Sequence, residues 1–507
     1  MRPAPARTPA RPAFRNPVIR GEHGMDHGDP FVIKYLDAFY LYHSGETTGR
    51  RGISVYRSHD LVDWEFQGYA LEPAESGWAW SDLWAPEVVY ERGVFYMYVS
   101  ATRRHDERGP HGRWQLGDGD ELGRRLGLAR ATDPMGPFVL DPEPLVDEWS
   151  IDGHPFRDDD GTMWLFYNVH TESLGLDGVL PGTGTVCDRL LAPDRLAGEP
   201  VAVTLPSEPW EGVPTGDWYW NEAPYVLKRR GRYYQVYSGG AFADASYAAG
   251  VADAPSVRGP WRKHAQNPVV RGGGRIAGPG HHSFVFGPDA ATRYAVYHAY
   301  VDAEPGRKVL LDRLYWAGDG PHIAGPTADE QPVPPAAVHD PRVPHWRAEA
   351  WVRGSWVEVD GGRFALDPLD AWHQVEIVQA DARHAVRIGG VLRASRPGAG
   401  TPRFETDGEA GFLTISSSLQ DDAMHELPAG SEYSWSWGGG GRIELSLAVK
   451  GSVDVVLEGT THRLPGDRDA FRLVTLEHEG DVGTIVVCAG DEGATVTDVC
   501  VYARGTA

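Results

Sequence analysis

Three carboxylates, Asp29, Asp152 and Glu222, occupy corresponding points in different copies of one internal repeat. Equivalent points of a closed circular repeat meet at a common axis, so side chains far apart in sequence can share one pocket. Two carboxyl groups facing a glycosidic bond can cleave it, one activating water and the other protonating the departing oxygen. An acid still protonated near neutral pH needs a raised pKa. A third carboxylate nearby supplies that by like-charge repulsion, helped by burial.

The repeat that positions them has five copies of a turn followed by an alternating aromatic strand. They are "YLDAFYLYHSG" from Tyr35, "YERGVFYMYVSA" from Tyr90, "DDDGTMWLFYNV" from Asp158, "KRRGRYYQVYSGG" from Lys228 and "PDAATRYAVYHAY" from Pro288. Gly and Asp mark the turns, and aromatic and β-branched residues mark the strands. Aligned on Tyr40, Tyr96, Trp164, Tyr234 and Tyr294, the copies are 56, 68, 70 and 60 residues apart. That spacing suits one four-stranded blade of a β-propeller per copy.

Eleven to thirteen residues before each aligned aromatic lie Asp29, Ala85, Asp152, Glu222 and His281. Each begins a short apolar run. The innermost strands of a propeller run parallel around the axis, so these first residues form a ring at one mouth of the central channel. Asp before Pro is also an ordinary turn signal. Four titratable residues in register point instead to a functional site.

In this order, the stretches "NPVI" at Asn16, "DPFVIKY" at Asp29, "VYRSHDLVDWE" at Val55, "WAPEVVY" at Trp84, "IDGHPFRDDDG" at Ile151, "NEAPYVLKRRGRYY" at Asn221, "GPGHHSF" at Gly278 and "DRLYWAGDGPHI" at Asp312 are together similar to glycoside hydrolase family 43. This family contains inverting arabinosidases and xylosidases built on a five-bladed β-propeller. The resemblance covers Asn16 to Ile323. It implies Asp29 as general base, Glu222 as general acid and Asp152 as the carboxylate that orients the acid and tunes its pKa. It also matches His281 to a family histidine near a divalent ion or water cluster on the axis. Such an ion would be hard, Ca²⁺ for instance, with mostly oxygen ligands; a histidine hydrogen-bonded to a catalytic carboxylate is the other reading. No organic cofactor is implied. Trp84, Trp220 and Arg307 are the candidate sugar contacts; Trp80 and Trp218 also flank the ring. The chain departs from the family in having Glu222-Ala223-Pro224 for the usual Glu-Gly-Pro. The stretch "GMDHG" also places a second acid, Asp26, beside Asp29.

The expected activity is removal of terminal α-L-arabinofuranosyl or β-D-xylosyl residues from small oligosaccharides, with inversion. Two other classes compete: a related five-bladed-propeller enzyme, either a fructan hydrolase or a mannoside phosphorylase, and a non-catalytic glycan-binding propeller. A retaining fructan hydrolase would carry Asn-Asp-Pro-Asn, Arg-Asp-Pro and Glu-Cys, where this chain has Gly28-Asp29-Pro30-Phe31, Ile151-Asp152-Gly153 and Glu222-Ala223. A mannoside phosphorylase would need a basic phosphate cluster at the mouth, and none stands out. A non-catalytic glycan-binding propeller would be marked by loss of a carboxylate, and none is lost.

The 507 residues suit about two domains. The fold class expected is all-β: a flexible tail over 1–15, a five-bladed propeller over 16–325, a Pro-rich linker over 326–344 and a jelly-roll-like β-sandwich over 345–507. The sandwich is expected to be a structural lid on the propeller rather than a glycan-binding module or an oligomer contact. A net charge of −23 argues against nucleic acid and anionic membrane partners. The N-terminus is basic and Pro-rich with no apolar run, and the three cysteines form no framework. Together these favour a cytoplasmic location. The acidic run Asp158 to Asp160 reads as a solvated turn. The irregular insertions His105 to Gly123 and Ser173 to Gly184 are the loops expected to decide which sugar fits.

Overall fold

The protein is all-β. The computed structural model describes residues 12–504 apart from 21–25, 46–49, 104–122, 319, 341, 344, 381–382, 398–403, 422–424, 440–441, 466, 468–470, 481 and 491. Among the described residues the only helical pieces are the 3₁₀ turns Thr171–Leu174 and Pro209–Glu211. No helix is long and apolar enough to cross a membrane.

Five antiparallel sheets follow one another in chain order. The first contains Phe31–Tyr35, Ala38–His43, Ile53–Ser58 and Glu65–Leu71, and the second Ser81–Glu91, Val94–Thr102, Arg124–Ala131 and Val139–Leu140. The third contains Ile151–Arg157, Met163–His170, Thr183–Ala192 and Arg195–Leu196, with Val201–Thr204 added against Thr183–Ala192. The fourth contains Glu222–Arg229, Arg232–Gly239, Ala248–Ala254 and Arg262–Lys263, and the fifth Ile276–Phe286, Arg293–Val301, Lys308–Ala317 and Gly320–Ile323. Strands within each sheet are paired in sequence order, as short turns between alternating runs dictate. At Arg92-Gly93 and Arg230-Gly231 both turn residues have positive φ, the geometry that matches the twist of a two-residue hairpin.

Apolar clusters fill the spaces between consecutive sheets. Tyr40, Val55, Phe95 and Met97 join the first to the second, and Tyr98, Leu128, Leu165 and Val186 the second to the third. Phe166 and Val226 join the third to the fourth, and Val251, Tyr297 and Leu310 the fourth to the fifth. A further cluster packs Leu41 and Tyr56 of the first sheet against Val296 and Leu311 of the fifth. Because both faces of the second strand are covered, all of Ala38–His43 is buried.

The first fifteen residues are not wholly a free tail. Ala13–Arg15 pairs with Glu330–Pro332, and Phe14 is buried in the cluster between the first and fifth sheets. The Asn16 side chain donates to the Leu311 carbonyl (3.1 Å) and accepts the Leu311 N–H (2.8 Å). The Pro-rich stretch supplies the partner strand, and its Val343 is buried.

From Trp346 onward a nine-stranded sheet is faced by a three-stranded and a four-stranded sheet. Two apolar clusters result, one around Trp346, Val357 and Ile377 and the other around Trp437, Leu445 and Val487. Strand Glu409–Asp421 joins the halves by pairing with both Trp346–Arg353 and Ala494–Arg504. Buried charges tie this part to the five sheets. Glu444 takes Arg313 (2.7 Å), Asp289 takes Arg504 (3.2 Å), Asp498 takes Arg229 (2.9 Å), and Glu349 takes Lys34 (2.9 Å). The Asp158–Asp160 turn is not simply solvated. Asp158 accepts from Lys228 and from the Tyr233 hydroxyl (2.6 Å), and Asp159 pairs with Arg387 (2.8 Å).

Candidate active site

One backbone feature recurs at the head of every inner strand. Asp29, Ala85, Asp152, Ala223 and His281 all have left-handed φ, between 48° and 56°. Such a conformation costs a non-glycine residue roughly 1–3 kcal/mol and persists only where its surroundings hold it. Here each kinked N–H is held by an acceptor from the preceding sheet. Ala85 donates to Ser44 Oγ (2.9 Å), Asp152 to Ser100 Oγ (2.9 Å) and His281 to Ser238 Oγ (2.9 Å). Asp29 of the first sheet donates to His298 Nδ1 of the fifth (3.0 Å). Ser44, Ser100, Ser238 and His298 each lie four residues after their aligned aromatic, as does Asn168. Asn168 instead donates to the Asn221 carbonyl, and the Ala223 N–H goes to Asp152 Oδ2 (3.0 Å). In the fourth sheet the kinked residue is therefore Ala223, and Glu222 lies one position before it.

These kinks turn the strand heads into a single pocket. Asp29, Asp152, Glu222, His281, Trp84, Trp220 and Arg307 all line it. Trp80 and Trp218 do not. Arg124, Trp149, Ile151 and Phe242 complete the wall; sequence reasoning had not singled them out. Arg124 lies 4.9 Å over the Trp84 ring. Of the two expected sugar-deciding loops, residues 105–122 lie outside the described residues. The other forms the turn Thr171–Leu174 and the chain that follows.

The carboxylates sit in opposed environments. Asp29 Oδ1 accepts from Arg307 Nη1 (3.0 Å) and lies 3.2 Å from His281 Nδ1, while Oδ2 accepts from the Ser44 hydroxyl (2.5 Å). Burial alone would push the Asp29 carboxyl up, but the charges of Arg307 and His281 hold it well below the usual range. Two carboxylate oxygens offer about four lone-pair sites. Three donors leave room for a water on the ionised group.

Glu222 accepts from the Tyr247 hydroxyl (2.7 Å). Its carboxyl is raised, first by burial and then by the neighbouring charge of Asp152, with Tyr247 opposing. Burial raises Asp152 as well, with the His281 charge offsetting it in part. Tyr247 is almost fully buried and stacks on His298, with ring centroids 5.4 Å apart and planes 5° apart. A Cβ at Gly280 would fall 2.1 Å from the Tyr247 ring, so only glycine leaves space for the tyrosine there.

The two histidines at Asp29 differ. His298 Nδ1 accepts a backbone N–H, and burial lowers its pKa to about 4, so its 3.3 Å approach to Asp29 Oδ1 is not an ion pair. Burial lowers His281 too, but the Asp29 charge and hydrogen bond outweigh it and bring it to about 9. His281 is thus an imidazolium whose Nδ1 is turned to Asp29. With Nδ1 committed to Asp29, Nε2 is the ring nitrogen left to meet an ion. Among the described residues no three His, Cys, Asp or Glu side chains converge as a metal site. The contact of His281 with Asp29 is the hydrogen bond of the second reading of this histidine. Asp26 does not line the pocket but pairs with Arg307 (2.7 Å), so it is not a rival catalytic acid.

Residues 14–321 match the family described as glycosyl hydrolases family 43. A β-D-galactofuranosidase of Aspergillus niger is 27% identical over 59% of this chain and 82% of its own length. An extracellular exo-α-(1→5)-L-arabinofuranosidase of Streptomyces avermitilis is 25% identical over 72% of this chain and 75% of its own. The crystal structure of a thermostable family-43 glycoside hydrolase, 35% identical, covers 64% of this chain and 99% of its own, with a TM-score of 0.54. The Streptomyces relative and an exo-α-(1→5)-L-arabinofuranosidase of Cellvibrio japonicus both carry "extracellular" in their names, which overturns the expected cytoplasmic location. Three unpaired cysteines and a polar N-terminal stretch do not fix a compartment.

Proposed function

The chain belongs to glycosyl hydrolase family 43, and from that premise we propose that it is an inverting glycosidase removing terminal α-L-arabinofuranosyl or β-D-xylosyl residues from short oligosaccharides. The observation that carries this reading is the opposition of two carboxyls in one pocket, Asp29 held well below the usual range and Glu222 raised above it. Groups whose environments push their pKa values apart are suited to act as base and acid. Ionised Asp29 takes a proton from a water that attacks the anomeric carbon. Protonated Glu222 gives its proton to the departing glycosidic oxygen. Asp152 keeps the Glu222 proton in place by its charge, and its Oδ2 holds the next residue, Ala223, by the backbone. Trp84 and Trp220 offer faces for the sugar ring and Arg307 a donor for its hydroxyls.

The same reading treats the five sheets as the blades of a closed propeller over 16–325. Its support is the apolar cluster between the first and fifth sheets and the His298 bond to Asp29 across that junction. Residues 345–507 are then an accessory β-sandwich joined by the 326–344 stretch. The four buried ion pairs to the five sheets support a structural role for it.

The test is a screen of 4-nitrophenyl glycosides led by α-L-arabinofuranoside and β-D-xyloside. β-D-galactofuranoside should be included because of the Aspergillus relative. Product configuration should be followed by NMR. Release of the inverted anomer is expected; a retained anomer would refute the assigned roles.

A further inference from the structure

Arg307 is gripped from both ends by the residues just before Asp29. Its backbone N–H donates to Asp26 Oδ1 (2.6 Å), and its carbonyl accepts the His27 N–H (3.1 Å). Its Nε and Nη2 donate to Asp26 Oδ2 at 3.0 and 2.7 Å, and Nη1 donates to Asp29 Oδ1 at 3.0 Å. The guanidinium lies 5.0 Å over the Phe242 ring, and a Cβ at Gly28 would fall 1.9 Å from its Cζ. The missing Gly28 side chain is therefore the space that the guanidinium fills.

A guanidinium has five N–H donors in a rigid fork. Asp26 takes those on Nε and one edge of Nη2, and Asp29 takes one on Nη1. One hydrogen on each terminal nitrogen is left for the pocket that Arg307 lines although it is only 3% exposed. Asp26 stands behind the guanidinium, outside the pocket lining.

We propose that Asp26 is a positioning residue for the reaction: acting through Arg307, it fixes a guanidinium that holds the base Asp29 on one edge and faces the sugar with the other. Gly28 is the second half of this cradle. The inference rests on the assignment of Asp29 as base. It explains why an acid and a glycine precede Asp29 at these spacings. The acid must reach the Arg307 guanidinium, and the glycine must not.

The experiment is a double-mutant cycle on whichever aryl glycoside the wild-type protein turns over. Asp26→Asn and Gly28→Ala should each lower kcat on the order of 100-fold, the effect of displacing a catalytic group by about 1 Å, with a smaller change in KM. In an Arg307→Ala background, Asp26→Asn should change kcat less than about threefold, because the residue it acts through is gone. A merely structural role would persist in that background, and an equal loss there overturns the proposal. So does full activity in Asp26→Asn. Where Asp26→Asn fails to fold, Gly28→Ala displaces the guanidinium with Asp26 intact, and wild-type activity in that variant overturns the proposal equally. Asp29→Asn run alongside separates the two readings. Activity retained in Asp29→Asn refutes the assigned base and the inference with it. Loss in Asp29→Asn with full activity in Asp26→Asn refutes the inference alone.

Discussion

Replacing Tyr247 with phenylalanine removes a hydrogen bond to the proposed acid. The ring stays wedged over Gly280 and stacked on His298; what is lost is the hydroxyl, which donates to Glu222 (2.7 Å) and also bonds Ser238. A hydrogen bond to a charged group contributes about 1.5–3 kcal/mol and to a neutral one about 0.5–1.5 kcal/mol. The donor therefore favours ionised Glu222 over protonated Glu222 by about 1 kcal/mol. At 1.36 kcal/mol per pH unit, its removal should raise the Glu222 pKa by about 0.7. The reaction needs Glu222 protonated, so the alkaline limb of kcat/KM should move up by that amount. Asp152→Asn removes the charge that raises Glu222, so the same limb should move down. The assay needs an oligosaccharide or alkyl glycoside, because an activated aryl leaving group needs little protonation and would mask the limb. A limb that stays put or moves down in Tyr247→Phe would show that it does not belong to a Glu222 bonded to Tyr247.

Asp29→Asn and Glu222→Gln should each abolish turnover of natural glycosides. On an activated aryl glycoside, steady-state rates should recover far more in Glu222→Gln than in Asp29→Asn, since the water still needs its base. His281 is raised from its ordinary 6.5 to about 9, so the folded state binds its proton more tightly than the unfolded chain does. Its stabilising share is full below pH 6.5 and lost as pH rises through 9. Thermal unfolding midpoints should fall across that window, and His281→Gln should flatten the fall. Glu444 is buried between Arg313 and Arg504, which bring its pKa to about 2 against the opposing effect of burial. Glu444→Gln leaves two buried arginines short of charge and should cost about 3–5 kcal/mol in denaturant unfolding.

The five sheets and the three carboxylates were legible because strand alternation and turn residues repeat along the chain. The register of the fourth copy was legible only to within one residue. Counting from the kinked residue, the first, second and fourth copies share one spacing, 29 to 40, 85 to 96 and 223 to 234. The third and fifth are longer because their hairpins close through residues 158–162 and 287–292 rather than through two-residue turns. Allowing for that would have put Ala223, not Glu222, at the kink. Tyr247, Ser44 and His298 were hidden for another reason. Ser44 and His298 act across a sheet boundary, on Ala85 and Asp29, and Tyr247 reaches Glu222 from two strands away in the same sheet; no pattern within one strand records such neighbours. Trp149 and Phe242 belong to connecting segments and carry no periodic signal. The cytoplasmic expectation failed because composition near one end of a chain is weak testimony about where the protein works.

At four of the five strand heads the group that secures the kinked backbone is a serine hydroxyl or a neutral histidine, and none of these four needs to change its protonation state to do so. At the fifth, Asp152 does two jobs with one carboxylate, fastening Ala223 and setting the charge felt by Glu222. Scaffold and chemistry are fused at this point, as they are at Ser44, which secures Ala85 and donates to Asp29. Asp152 answers to two constraints and tolerates no substitution that satisfies only one. Asn168, whose Oδ1 is buried with no hydrogen-bond partner among the described residues, stands where the other copies keep their fastener. A serine there would be the shortest mutational route to releasing Asp152 from its backbone duty and leaving it to titrate alone.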